Sequence, residues 1–227
     1  MDFIKNSFPD RNIISVTTNG TLLDKEKMTV LKKAGVDILT ISLDSAIPEE
    51  HDSFRGVKGT FDKAMKTIRL ALDNGLNVTL GAVVSHQNVR SKGLIDLIEY
   101  ADKHNVIICL VLATPLGEWS GNKDIILTDD DRLHISELKK AYPLLRTDFE
   151  ANFIYWGCGA VKEILYLTPY GDVLGCPFLH SSLGNIFEED LETIRDRALL
   201  NPYFDHYHHL CLAAEDQEFM ETFNKKS

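Results

Sequence analysis

The sequence predicts an α/β fold: a parallel sheet of about four strands, followed by a smaller α+β region. Three observations carry this. Four short runs rich in β-branched residues are apolar almost without interruption, as in parallel strands buried on both faces. Between them, apolar residues recur three and four apart, which is the helical period. After about residue 145 that alternation stops, and Cys158, Cys176 and Cys211, three of the four cysteines, lie beyond it.

The strands come first. Ile13-Ile14-Ser15-Val16-Thr17, Ile38-Leu39-Thr40-Ile41-Ser42-Leu43, Val78 to Val84 and Val106 to Leu112 are the four runs. The helix over 24–34 carries Met28, Leu31 and Ala34 and stops at Gly35. The helix over 60–74 carries Phe61, Ala64, Met65, Ile68, Ala71 and Leu72 and stops at Gly75. The helix over 91–104 carries Leu94, Leu97, Ile98 and Ala101. Thr60 and Ser91 are expected N-caps, and Gly35 and Gly75 expected C-terminal stops. Strand, helix and strand in repetition imply right-handed crossovers and a parallel sheet. Residues 1–8 read as the end of a helix with no strand before it, so the chain reads as beginning in mid-fold.

A Gly-containing loop spans 116–123, and Thr128-Asp129-Asp130-Asp131 opens a helix that Pro143 ends. Residues 163–167 and 172–174 flank Pro169-Tyr170-Gly171 as a β-hairpin. A helix over 191–200 follows Gly184-Asn185-Ile186, and a short helical pattern covers 215–223. The expected organisation is therefore 1–115, a connecting loop and helix over 116–145, and a C-terminal region over 146–227.

Net charge is −10, which argues against nucleic acid or an anionic membrane as partner, since both call for a basic surface. The acidic runs Asp129-Asp130-Asp131 and Glu188-Glu189-Asp190 read as first turns of helices, where acids suit the dipole. No apolar run approaches the roughly 20 residues that span a bilayer. The N-terminus lacks a signal pattern, so the expected location is cytoplasmic. In a reducing compartment, clustered cysteines are more often metal ligands or reactive groups than disulfides.

Candidate ligand contacts sit where strands end, because the C-terminal strand ends of parallel sheets form the binding face. Thr17-Thr18-Asn19-Gly20 follows the first strand. It reads either as a set of ligand contacts or as a turn capped by Asn19. Ser42 and Asp44, two residues apart at the end of the second strand, face the same side. They offer a hydroxyl and a carboxylate to a ribose, or else cap the turn at Pro48-Glu49-Glu50. Arg55 brings a fork of donors for a carboxylate, or makes a surface ion pair. For the cysteines, three readings stay open: an iron–sulfur site, a Cys₃His zinc site completed by His209 or His208, and three buried thiols. Cys109 reads as a core strand residue. A complete enzyme of sugar-phosphate type would need a Gly-rich phosphate loop, and none is present.

In order and spacing, Thr17 to Leu23, Ala34-Gly35-Val36-Asp37, Ile41-Ser42-Leu43-Asp44-Ser45, Glu49 to Gly56 and Gly59 to Ala64 resemble the middle of a radical S-adenosylmethionine (SAM) enzyme. The likeness is closest to the branch that includes molybdenum-cofactor cyclisation, sulfatase-maturing and peptide-modifying enzymes. Gly157-Cys158-Gly159, Thr168-Pro169-Tyr170-Gly171-Asp172, Cys176-Pro177-Phe178 and Gly184-Asn185-Ile186 resemble the SPASM or shorter twitch extension of that superfamily. There, cysteines hold an auxiliary [4Fe-4S] cluster.

The resemblance implies a partial (β/α) barrel followed by a twitch-like domain. It implies SAM held by Thr18, Asn19, Ser42, Asp44 and Arg55, and an auxiliary cluster on Cys158, Cys176 and Cys211. The intervals between these cysteines are 17 and 34 residues. In a complete enzyme, a 5′-deoxyadenosyl radical would take a hydrogen from a small-molecule or peptide substrate. Two elements of the pattern are missing: the sequence contains no Cys-x₃-Cys-x₂-Cys, the triplet that binds the SAM-cleaving cluster, and no Gly-Gly-Glu type of loop, which meets the SAM amino group. The expectation is a C-terminal portion, inactive by itself, that relies on a missing N-terminal segment or a separate chain. The alternative is a non-catalytic cluster-binding or zinc-binding remnant that docks with a partner.

Overall fold

The computed structural model describes residues 12–148 and 157–216, together with Glu218, Phe219 and Thr222. The chain divides into two compact units, residues 1–111 with 129–148 and residues 112–128 with 149–227.

The first unit is α/β. In chain order it runs β1 (Ser15–Thr18), α1 (Lys25–Lys33), β2 (Ile38–Ser42), α2 (Pro48–Arg55), α3 (Thr60–Asp73), β3 (Asn77–Val84), α4 (Lys92–Lys103), β4 (Ile107–Leu112), α5 (Asp129–Ala141) and β5 (Leu145–Thr147). The strands lie side by side in chain order, β1 to β5. The pairs β1–β2, β2–β3 and β4–β5 are parallel, with Ser15 opposite Ile38, Ile38 opposite Asn77 and Ile108 opposite Leu145. The sheet thus has five strands where the sequence pattern predicts about four. The fifth, Leu-Arg-Thr, is too short to show a period.

One face of β2 carries the apolar payload. Leu39, Ile41 and Leu43 are fully buried, and Leu80, Ala82 and Val84 continue this core on β3. Burying each Leu or Ile contributes about 1.5–3 kcal/mol. Helix α3 packs on β2 and β3 and buries Ala64, Thr67, Ile68 and Ala71. Gly20 follows β1 at φ +72°, and a Cβ there would sit 3.3 Å from both Ile41 and Thr67. The missing side chain lets the β1 turn lie against α3, where the Thr67 hydroxyl donates to the Gly20 carbonyl at 2.6 Å.

Helix ends largely follow the sequence signals. Ser91 caps α4, its hydroxyl accepting from Leu94 N at 3.2 Å. Gly35 and Gly75 stand just beyond α1 and α3, as expected. Thr60 differs: it is the first residue of α3, not its cap. The cap comes from α2 instead. The Asp52 carboxylate accepts from Gly59 N, from the Thr60 hydroxyl at 2.7 Å and from Phe61 N at 2.8 Å. These bonds hold its pKa down at about 2, the backbone N–H of Phe61 being the largest cause.

The second unit holds an antiparallel sheet, β6 (Tyr166–Leu167), β7 (Asp172–Leu174) and β8 (Ser182–Asn185), in that order, and helix α6 (Leu191–Ala198). The predicted hairpin is β6–β7. The Thr168 hydroxyl accepts from Tyr170 N at 3.3 Å and Asp172 N at 3.1 Å. Asn185 clamps the loop from β8, donating to Tyr170 O at 3.0 Å and Asp172 Oδ1 at 3.2 Å. The core of this unit gathers Cys158, Val161, Cys176, Leu179, Phe204, Cys211, Leu212 and Phe219, among others. The expected helix end over 1–8 lies outside the described residues. Of the tail helix over 215–223, Glu218, Phe219 and Thr222 are helical. Among the described residues, no helix is long and apolar enough to cross a membrane.

Candidate functional site

Two groups of predicted residues define the candidate sites, one in each unit. In the first unit, Thr18 and Asn19 end β1 as a turn. The Thr18 hydroxyl accepts from Gly20 N at 3.1 Å. The Asn19 side-chain Oδ1 accepts from the backbone N and the hydroxyl of Thr21, at 3.1 and 2.9 Å. Asn19 is exposed and Thr18 half-buried. Ser42 ends β2 half-buried.

Asp44 and Arg55 are brought together. Asp44 is buried at 4% exposure, and Arg55 closes on it with Nε 2.6 Å from Oδ2 and Nη2 3.1 Å from Oδ1. Val83 N donates to the same carboxylate at 3.1 Å. His51, which sequence reasoning did not single out, completes the group from α2. Its Nδ1 lies 3.1 Å from Asp44 N and 3.2 Å from Asp44 Oδ2. One nitrogen cannot both accept from the amide and donate to the carboxylate. The carboxylate already has three N–H donors and the buried amide needs an acceptor, so Nδ1 accepts and the proton sits on Nε2. The carboxylate's main partners thus come from within the chain.

A second buried carboxylate was also missed. Asp131 in α5 has a side chain 1% exposed; it takes His86 Nδ1 at 2.7 Å and is paired with Arg90 Nη1. Arg90 also reaches Asp130 at 2.7 Å. His86 follows the end of β3, 45 residues from Asp131, so no local pattern joins them.

In the second unit, Cys158, Cys176 and Cys211 are all buried, at 5, 5 and 6% exposure, within one core. All are free thiols. Burial is the main cause that pushes the Cys176 thiol up to about 11 and the Cys211 thiol to about 12, with the charge of Cys158 acting in the same direction within those values. Backbone N–H groups oppose this: those of Phe178 and Leu179 favour the Cys176 thiolate, and those of Ala213 and Ala214 the Cys211 thiolate. Cys176 and Cys211 each therefore open a tight turn that aims amides at its own sulfur.

Three buried thiols in one core are the donor type that a thiolate-bound centre uses. The sulfurs are close enough for one charge to raise its neighbours, and a cation relieves that repulsion. Hydrogen bonds to sulfur also stabilise ligating thiolates. Among the described residues, no three His, Cys, Asp or Glu side chains are drawn into a ready-made metal cage. Lys162 is a half-buried cation of this region. Its pKa is lowered by burial and raised by Cys158, and its Nζ donates to Ala160 O and Phe204 O at 3.2 Å. Cys109 stands apart, in β4 opposite Arg146.

Residues 4–98, which contain the strand-end group, match the Radical SAM superfamily. This segment is therefore similar to a radical SAM domain. Its β1 and β2 ends carry Thr18, Asn19, Ser42 and Asp44, and the end of α2 carries Arg55. The chain is 31% identical over 222 residues to the antilisterial bacteriocin subtilosin biosynthesis protein AlbA of Bacillus subtilis, covering 88% of this chain and 46% of that protein. It is 36% identical over 213 residues to an AdoMet-dependent heme synthase of Methanosarcina barkeri, covering 82% and 60%. The chain spans about half the length of the curated relatives it matches. In fold, the chain is similar to Streptococcus suis SuiB bound to S-adenosylmethionine, with a TM-score of 0.61 at 18% identity, over 84% of this chain and 48% of that one.

Proposed function

We propose that these residues are the C-terminal portion of a radical SAM enzyme that binds an auxiliary [4Fe-4S] cluster through Cys158, Cys176 and Cys211 in a twitch-like domain. The observation that carries this is the gathering of three buried thiols in one core, two of them facing backbone amides. The absence of Cys-x₃-Cys-x₂-Cys from the sequence supports a SAM-cleaving cluster held by chain beyond these residues. When bound, SAM and the clusters supply one-electron chemistry ending in hydrogen abstraction from the substrate.

The chain's own residues then bind and orient. Ser42 offers a strand-end hydroxyl with no hydrogen bond to the described residues, and Thr18 keeps a proton to donate. Asn19 shapes the β1 turn. Asp44 holds Arg55 at the edge of the SAM site, where its remaining N–H groups meet an anionic part of the cofactor. Relatives named for bacteriocin biosynthesis and heme synthesis support a substrate that is a peptide or a cofactor precursor.

Anaerobic reconstitution with iron and sulfide tests the cluster. The expected result is about four irons per chain, lost in Cys176→Ala. Tightly bound zinc with no iron uptake would sink it.

A second reading has its own observation. Among the described residues, β1 has a strand neighbour on one side only, and Ile13, Leu22 and Val30 are 73, 78 and 59% exposed. An open edge with apolar residues beside it invites pairing. Under this reading the chain is a non-catalytic cluster-binding or zinc-binding subunit whose β1 edge docks on a partner. Size-exclusion chromatography tests it; a stable monomer at high concentration counts against docking.

A further inference from the structure

Three cysteines leave one position of a four-ligand centre open, and among the described histidines of this unit His208 has an unpartnered buried ring nitrogen. Its Nε2 is buried and has no hydrogen-bond partner. A buried ring nitrogen left unsatisfied is costly, and such groups in a folded chain call for a partner that the protein atoms do not supply. The other histidines of this unit are different. His180, His206 and His209 are exposed, and His206 is paired with Asp205.

The backbone ties His208 to the cysteines. Its carbonyl accepts from Cys158 N at 2.6 Å. That approach depends on Gly157, at φ +102°, because a Cβ there would lie 2.3 Å from the His208 oxygen. Cys211 follows three residues later, after His209 and Leu210. His208 is therefore joined by a hydrogen bond to one cysteine and by a short connection to another. Its ring is held by neighbours rather than by hydrogen bonds, 4.1 Å from the His206 ring and 6.1 Å from that of Tyr203.

We propose that His208 Nε2 is the fourth protein ligand of the centre held by Cys158, Cys176 and Cys211. This rests on the reading of those cysteines as metal ligands. A neutral imidazole in place of a fourth thiolate lowers the negative charge of the ligand set by one. Replacing cysteine by histidine at an iron–sulfur centre raises its reduction potential.

The test uses the full chain as wild type, His208→Ala and His208→Cys, reconstituted anaerobically with ferrous iron and sulfide, then reduced. Iron per chain reports on the cluster itself. Pulsed electron paramagnetic resonance reports on the ligand, through the strong ¹⁴N coupling of a directly bound imidazole. The expected result is that coupling in wild type and its loss in both variants, with His208→Cys keeping the iron content of wild type. A wild-type cluster without the coupling, or a coupling that survives in His208→Ala, overturns the assignment. A parallel titration with Co²⁺ separates the two ideas. A chain that takes no iron, but binds Co²⁺ with a three-sulfur, one-nitrogen spectrum lost in His208→Ala, keeps His208 and sinks the cluster. A chain that takes up neither metal overturns both.

Discussion

Arg55 closes a two-pronged fork on Asp44 across 11 residues of chain, with its Nε 2.6 Å from one carboxylate oxygen and its Nη2 3.1 Å from the other. The carboxylate is almost wholly buried, while the guanidinium is 29% exposed. Removing the arginine strands a charge. Arg55→Ala is expected to destabilise the chain toward the low end of about 3–5 kcal/mol, because Val83 N–H still donates. Arg55→Lys falls between, since an ammonium cannot make the fork. Urea denaturation at neutral pH measures this; a loss under about 0.5 kcal/mol for Arg55→Ala would show the fork to be idle.

Asp52 makes acid stability site-specific. Its pKa is depressed from 3.8 to about 2 by the N–H groups of Phe61 and Gly59 and the Thr60 hydroxyl. A depressed carboxylate contributes stability above its unfolded pKa and loses it as pH falls through the folded one. That contribution is thus complete above about pH 4 and disappears toward pH 2. Asp52→Asn is expected to flatten stability over this window, and the Asp52 carboxyl carbon to titrate near 2 by NMR. A midpoint near 4 refutes the cap.

The cysteines reverse that sign. Cys176 and Cys211 are raised from 9.0 to about 11 and about 12. Their contribution in the metal-free chain is complete below about pH 9 and is lost as pH climbs through 11 and 12. Metal uptake must expel these protons. Apparent Co²⁺ affinity is therefore expected to rise about a hundredfold or more between pH 6.5 and 7.5, with a matching proton release in weakly buffered solution. Affinity independent of pH would mean that the buried thiols do not ligate.

These sites differ in how much the sequence disclosed, for physical reasons. β2 was legible because Leu39, Ile41 and Leu43 line one buried face, and the β6–β7 turn because Thr168 and Gly171 close it locally. β5 was not, because Leu145 is its one large apolar residue and its pairing with Ile108 is long-range. Thr60 looked like a cap because cap patterns are local, whereas Asp52 reaches α3 from the preceding helix. The three cysteines stood out by residue type and spacing. His51 and Asp131 are ordinary residues in helical stretches, and only the folded chain brings them to Asp44 and His86.

Asp131 yields the sharpest contrast among single substitutions. Its side chain is 1% exposed, whereas Arg90 and His86 are 44 and 51% exposed. Loss of the acid releases Arg90 and His86, whose half-exposed side chains water can solvate at little cost. Loss of Arg90 instead leaves the carboxylate buried with its weaker contacts, including His86. Arg90→Ala is therefore expected to cost about 2–4 kcal/mol, and Asp131→Asn, which keeps the shape, about 1 kcal/mol or less. The double variant should recover most of the Arg90→Ala loss, because the stranded charge is gone. Urea denaturation of all four proteins forms the cycle. Asp131→Asn proving the more damaging single change would mean that the carboxylate stabilises the α5 start by more than it costs to bury.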